Sequence, residues 1–157
     1  MDRRYWDSCC FLRWLKKEQG YEKCKGVIND AKAGKIIIVT SVLTIAEVIR
    51  LDSDRKIDRN KSDEICRFFK SEYIVLINVD RYIAESSRIL QWDHTALKPN
   101  DAIHIASAIK AKITVLDTFD NSLIKLSGKI GNPPLIIGEP NIAFQEEINF
   151  ENGLLSI

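Results

Sequence analysis

The feature that most constrains the fold is a set of short, unbroken apolar runs rich in β-branched residues: Ile36 to Thr40, Tyr73 to Val79, Ile113 to Leu116 and Leu135 to Ile137. A strand with one face in water alternates apolar and polar residues. These runs do not alternate, so they suit strands covered on both faces. Tyr5 and Trp6 supply a further short strand before Asp7. Between the runs the apolar spacing changes to that of helices. Val42, Ile45, Ala46 and Ile49 form one stripe, Ile65, Phe68 and Phe69 another, and Ala102, Ile105, Ala106 and Ile109 a third. Segments 9–19, 21–33 and 81–92 also read as helices, with Gly20 dividing the first two. Strands alternating with helices predict a central parallel sheet between two helical layers, a three-layer α/β/α sandwich.

With 157 residues the chain has the length of one domain, read as 1–157 with a core at about 4–137 and a tail over 138–157 that folds back or exchanges between subunits. Gly131 to Pro134 reads as a turn. Hydrophobic residues at 45% and charged residues at 29% are the balance of a globular protein rather than a disordered or membrane chain. The opening MDRRYWDSCCFLRWL lacks the apolar run of a secretory signal, and no stretch approaches the roughly 20 apolar residues that span a bilayer. A cytoplasmic protein without membrane association is expected. Cys9, Cys10, Cys24 and Cys66 show no CxxC spacing and read as buried or incidental thiols. Twenty-three Lys plus Arg nearly cancel 22 Asp plus Glu, for a net charge of +1, so any site for a polyanion must be local.

In open parallel sheets ligands bind outside the carboxyl ends of the strands. Acidic residues fall there: Asp7 after the first strand, Glu47 one turn into the helix after the second, and Asp117 and Asp120 after Leu116. Carboxylates are ligands for hard cations such as Mg²⁺ and Mn²⁺, which phosphodiester hydrolysis uses to activate water and neutralise the leaving oxygen. Each residue also has a plainer reading. Asp7 is a favoured N-cap for a helix starting at Ser8. Thr44 and Glu47 have capping-box spacing, which would turn Glu47 onto backbone amides. Asp101 lies in the first turn of a helix opened by Pro99 or Asn100, where any acid gains from the helix dipole.

The strings YWDSCCFLRWL, SVLTIAEVI, LKPNDAIHIASAI and VLDTFDNSL, in that order, resemble the PIN domain (PilT N-terminus), the fold of many bacterial and archaeal ribonuclease toxins of the VapC type. The resemblance covers roughly residues 4 to 137. By position it implies that Asp7, Glu47, Asp101 and Asp120 are the catalytic acids and bind one or two Mg²⁺ or Mn²⁺ ions. Asp120 follows the Thr-x-Asp pattern at Thr118, and Asp117 is held in reserve as an ion ligand or a solvated strand end. The resemblance further implies an RNA substrate, an antitoxin partner and a homodimer. The alternative reading is a catalytically inactive PIN-like scaffold that binds RNA or a protein.

Thr118 suits either orientation of a water or a local turn bond. His104 lies three residues beyond Asp101 but reads more simply as a helix contact, and His94 falls in a polar loop. With no H-x₃-H or Cys/His cluster, zinc is not expected. Arg13, Lys16, Lys17, Arg50 and Lys98 are candidates for gripping phosphates. Trp6, Trp14 and Trp92, like Phe11 and Leu15, read as core or interface rather than base readers. LDTFDNSL superficially matches the aspartate loop of haloacid-dehalogenase-like phosphatases, but alignment puts Thr118 at the nucleophile's place. No Gly-rich phosphate loop occurs.

Overall fold

A computed structural model describes residues 1–49 and 59–141. Arg50 and residues 142–157 of the tail lie outside the described residues. The chain opens with strand β1 (Asp2–Trp6), followed by helices α1 (Ser8–Lys16) and α2 (Tyr21–Lys32), strand β2 (Ile36–Ser41) and the short α3 (Leu43–Glu47). Then come α4 (Arg59–Phe68), β3 (Ile74–Ile77), α5 (Arg81–Asp93), α6 (Pro99–Lys110), β4 (Val115–Asp117), α7 (Asn121–Ile124) and β5 (Ile136–Gly138). The strands form one sheet in the order β3-β2-β1-β4-β5, every pairing parallel.

The period of two along each strand divides the core. Tyr5, Val39 and Leu116 point to one face, where they meet Ala102, Ile105 and Ala108 of α6 and Leu123 of α7. Trp6 and Ile38 point to the other, against Phe11 of α1, Val27 and Ile28 of α2 and Ile65 of α4. Both faces are therefore covered, which is why the strand runs are continuously apolar, and the architecture is the α/β/α sandwich that the pattern predicted. Trp6 is fully buried with its ring edge-on to Phe11 at 5.1 Å. Each such side chain contributes about 1.5–3 kcal/mol by burial.

Boundaries differ by small amounts with identifiable causes. The first helix stops at Lys16 instead of residue 19, because Lys17 adopts a left-handed conformation (φ 53°) and caps it. The fourth strand begins at Val115 and runs on through Asp117, whose charge is neutralised within the sheet. Trp92 is 86% exposed, unlike Trp6 and unlike Trp14, which stacks on Tyr21 at 5.0 Å. Among the described residues no helix is long and apolar enough to cross a membrane.

Candidate metal centre

All five strands run the same way, so the residues that follow them share one edge of the sheet. Asp7 directly follows β1 and caps α1, accepting from the backbone N–H of Cys9 at 3.1 Å and of Cys10 at 3.3 Å. Its other carboxyl oxygen accepts from the buried Thr118 hydroxyl, and the Cys9 thiol donates to Oδ1 at 2.7 Å. Burial pushes the Asp7 carboxyl well above the ordinary carboxylate range; Cys9 adds to the rise, while Thr118 and His104 oppose it. The capping role and a place at the site are thus compatible. Cys9 is neither deeply buried nor incidental, since its thiol sits against Asp7.

Glu47 closes α3. The capping box with Thr44 does not form, because Thr44 lies inside the helix and its hydroxyl pairs with that of Thr40 at 2.7 Å. Glu47 instead reaches across to α6, accepting from Asn100 Nδ2 at 3.0 Å and pairing with His104 Nε2 at 2.7 Å. His104 is buried, and its Nδ1 lies 2.8 Å from the Tyr5 hydroxyl. Burial raises the Tyr5 pKa, so that hydroxyl keeps its proton beside Nδ1, while Nε2 faces the Glu47 carboxylate. Burial alone would raise the pKa of Glu47. The hydrogen bond and charge of His104, with Asn100 and Ser8, outweigh it and hold Glu47 below its usual value.

Asp101 stands in the first turn of α6, half-buried, and among the described residues it accepts no hydrogen bond. Burial raises its pKa. The negative charges of Asp120 and Glu47 raise it further, against the pull of His104 and Lys98. Asp120 caps the short α7, with Oδ1 accepting from the Ser122 N–H at 2.8 Å and the Ser122 hydroxyl at 2.7 Å. Its own N–H donates to Thr118 Oγ1 at 3.0 Å, so Thr118 ties Asp7 to the backbone of Asp120.

Asp117 ends β4 beside Asp7, whose N–H donates to its carbonyl at 3.4 Å, but it is not a solvated strand end. It is 1% exposed and forms a two-pronged ion pair with Arg4, Nε to Oδ2 at 2.8 Å and NH2 to Oδ1 at 2.6 Å. Trp6 Nε1 adds a third bond at 2.9 Å. Burial raises this carboxyl, against the pull of Arg4 and Trp6. Its charge is answered within the core by the Arg4 guanidinium, which makes Asp117 one half of a buried ion pair.

The structure also sorts the proposed phosphate grips. Lys98 precedes α6 and acts electrostatically on Asp101. Arg13 leans over Phe119, 4.3 Å from the ring centroid, next to Asp120. Lys16 and Lys17 fall at the far end of α1, whose nine residues put them about 13 Å from its start. His104 and Asn100 were the residues least visible in the sequence. A histidine inside the apolar stripe of α6 must find polar partners, and that need was the available signal.

The donor set of Asp7, Glu47, Asp101 and Asp120 is all carboxylate, which suits a hard divalent cation. Two of these carboxyls have raised pKa values, and Asp101 lies in a like-charge field without a hydrogen-bond donor, a strain that a cation relieves. The residues therefore fit the ion. The oxygens are not drawn into a closed shell: among the described residues, the group with potential ligand atoms within 4.8 Å of one another is Asp7, Cys9 and Cys10. Mg²⁺ commonly retains several waters, so a ring of carboxylates wider than a direct shell is compatible with it. Glu47 and Asn100 also border a cleft of about 510 Å³ shared with Ser8 and Leu12.

A parallel α/β/α sandwich with carboxylates set beyond its strand ends defines the class: an α/β protein with a candidate site at the carboxyl edge of the sheet. The chain belongs to the PIN domain family, whose profile matches residues 4–129. No curated protein matches the chain at a significant level. Among solved structures it is similar to a toxin–antitoxin complex from Klebsiella pneumoniae, with TM-score 0.63 and 20% identity over 88% of this chain and 98% of that one. It is similar to VapBC2 from Rickettsia felis, bound to a fragment of promoter DNA, with TM-score 0.64 and 17% identity over 88% of this chain and 99% of that one. A third is VapC20 of Mycobacterium tuberculosis, a toxin that cleaves the sarcin–ricin loop, with TM-score 0.63 and 16% identity over 75% and 90% of the two chains. At these identities the likeness is one of fold.

Proposed function

We propose that the protein is an endoribonuclease dependent on Mg²⁺ or Mn²⁺, the toxin of a toxin–antitoxin pair, with Asp7, Glu47, Asp101 and Asp120 as its catalytic acids. The observation that carries the reading is Asp101: half-buried, without a hydrogen-bond donor among the described residues, and facing the charges of Asp120 and Glu47. Evolution of a merely structural acid would have given it a donor, as it did for Asp117. The bound ion supplies Lewis-acid polarisation of the phosphate and a lowered pKa for the attacking water.

The chain's own residues do the positioning. His104 and Asn100 fix the Glu47 carboxylate in orientation and keep it ionised. The α1 amides and Thr118 hold Asp7 against its own tendency to protonate. Cation binding competes with protonation of Asp101, which couples ion binding to pH.

The fold likeness to toxin–antitoxin complexes supports an antitoxin as protein partner, and the likeness to a toxin that cleaves the sarcin–ricin loop supports RNA as substrate. A cytoplasmic homodimer belongs to the same reading; Tyr82, Ile89 and Trp92, all strongly exposed on α5, offer an apolar face for it. The test is incubation of purified protein with a mixed RNA pool, with and without each cation, beside an Asp101→Asn variant. Cleavage that needs the cation and vanishes in the variant is expected. RNA left intact under every condition, or cut equally by the variant, refutes the proposal.

A further inference from the structure

Phe119 and Asn121, the neighbours of Asp120 in sequence, line a second cleft of about 350 Å³, near the small end of the range for ligand sites. Two cations enter it. The Arg13 guanidinium lies on the Phe119 ring and donates from NH1 to the Gln19 carbonyl. Both partners are neutral, and among the described residues Arg13 has no carboxylate partner. Lys23 pairs with Glu139, but these side chains are 55% and 44% exposed, so the pair is weak and open to exchange.

The support beneath Arg13 is built. Gly20 has φ 95°, and a Cβ there would fall 2.6 Å from Phe119 Cε1 and 3.4 Å from Arg13 Cδ. Glycine at this position lets the ring lie against the backbone, and the ring in turn fixes the guanidinium, whose remaining N–H groups stay available. A planar cation held in this way matches a phosphate's paired oxygens and loses little freedom on binding.

We propose that this cleft binds a backbone phosphate of the RNA strand adjacent to the scissile bond, with Arg13 as the primary contact, Lys23 released from Glu139 as the second, and Asn121 within reach. The proposal rests on the nuclease reading for the identity of the strand. It makes two predictions of opposite sign. Removing the Arg13 charge weakens binding, whereas removing the Glu139 charge strengthens it by freeing Lys23.

The experiment measures binding of a fluorescent single-stranded RNA by anisotropy across a salt series, in EDTA so that the strand stays intact. The proteins are the full chain, Arg13→Gln, Arg13→Lys, Glu139→Gln and, as a charge control, Lys129→Gln, an exposed residue between α7 and β5 that does not line the cleft. Arg13→Gln is expected to bind about tenfold more weakly. Its slope of log affinity against log salt should be shallower by about 0.7, the value for one phosphate contact on a single strand. Arg13→Lys should retain that slope, and Glu139→Gln should bind more tightly than the full chain. If Arg13→Gln keeps the affinity and slope of Lys129→Gln, the proposal is overturned. It is also overturned if Arg13→Gln loses only binding of a poly-glutamate peptide, which would make the cleft a protein site. RNA binding that follows these predictions in a chain that cuts nothing would retain the cleft and refute the nuclease.

Discussion

Replacing Asp117 by Asn should destabilise the fold severely while sparing cation binding. The side chains of Arg4 and Asp117 are 0% and 1% exposed, and the carboxylate accepts two bonds from the guanidinium and one from Trp6. Asn keeps the shape but leaves a buried guanidinium without its counter-charge, and breaking a buried pair from one side costs about 3–5 kcal/mol. For a chain of this size each kcal/mol moves the melting temperature by about 2–4 °C, so the expected drop is about 6–20 °C. Urea unfolding followed by circular dichroism, with a parallel thermal melt, gives both numbers. The double variant Arg4→Met/Asp117→Leu removes both charges together and should recover most of the loss. The reasoning fails if Asp117→Asn costs less than about 1 kcal/mol, or if the double variant is no more stable than the single one. Were Asp117 an ion ligand instead, Asn would weaken cation binding and leave stability almost unchanged.

His104→Ala removes the Nε2 donor to Glu47 and should lower kcat on the order of 100-fold with little change in KM, as expected for a misplaced catalytic group. Because His104 holds the Glu47 pKa down, the acid limb of the pH–rate profile should move to higher pH in this variant, and an effect confined to KM would contradict the assignment. Asp101→Asn should melt at a higher temperature than the parent at neutral pH without cations, since it removes a carboxylate facing Asp120 and Glu47. An acid whose folded pKa lies above its unfolded value takes up a proton on folding. The parent should therefore lose stability as pH rises from the ordinary aspartate range through the raised value of Asp101, and this component should be absent in Asp101→Asn; a variant that melts lower at neutral pH would count against the like-charge field.

Much of the scaffold is legible because periodicity is a direct imprint of burial. Ile36, Ile38 and Val39 lie in a run with no polar alternation, and both faces of β2 are covered. The strand ends then place Asp7 and Asp120 near one edge without any knowledge of side-chain contacts. What periodicity cannot supply is pairing between distant residues. Arg4 and Asp117 are 113 positions apart, and both fall outside the apolar runs read from the sequence, so periodicity gave no sign that they pair. Glu47 illustrates the same limit: its spacing from Thr44 is that of a capping box, yet His104 and Asn100, more than 50 residues away, compete for the carboxylate and win. A capping bond would give Glu47 one backbone donor, whereas His104 and Asn100 give it two side-chain donors, and among the described residues the buried histidine has no other carboxylate partner.

Whether Asp7, Glu47, Asp101 and Asp120 act as one cation site is tested, without any substrate, by Mn²⁺ titration read by electron paramagnetic resonance. The full chain should sequester Mn²⁺, with affinity falling as pH drops through the raised pKa of Asp101. Asp101→Asn should bind at least about tenfold more weakly, while Lys129→Gln should match the parent. Equal Mn²⁺ uptake by the parent and Asp101→Asn, or none by either, would contradict the claim.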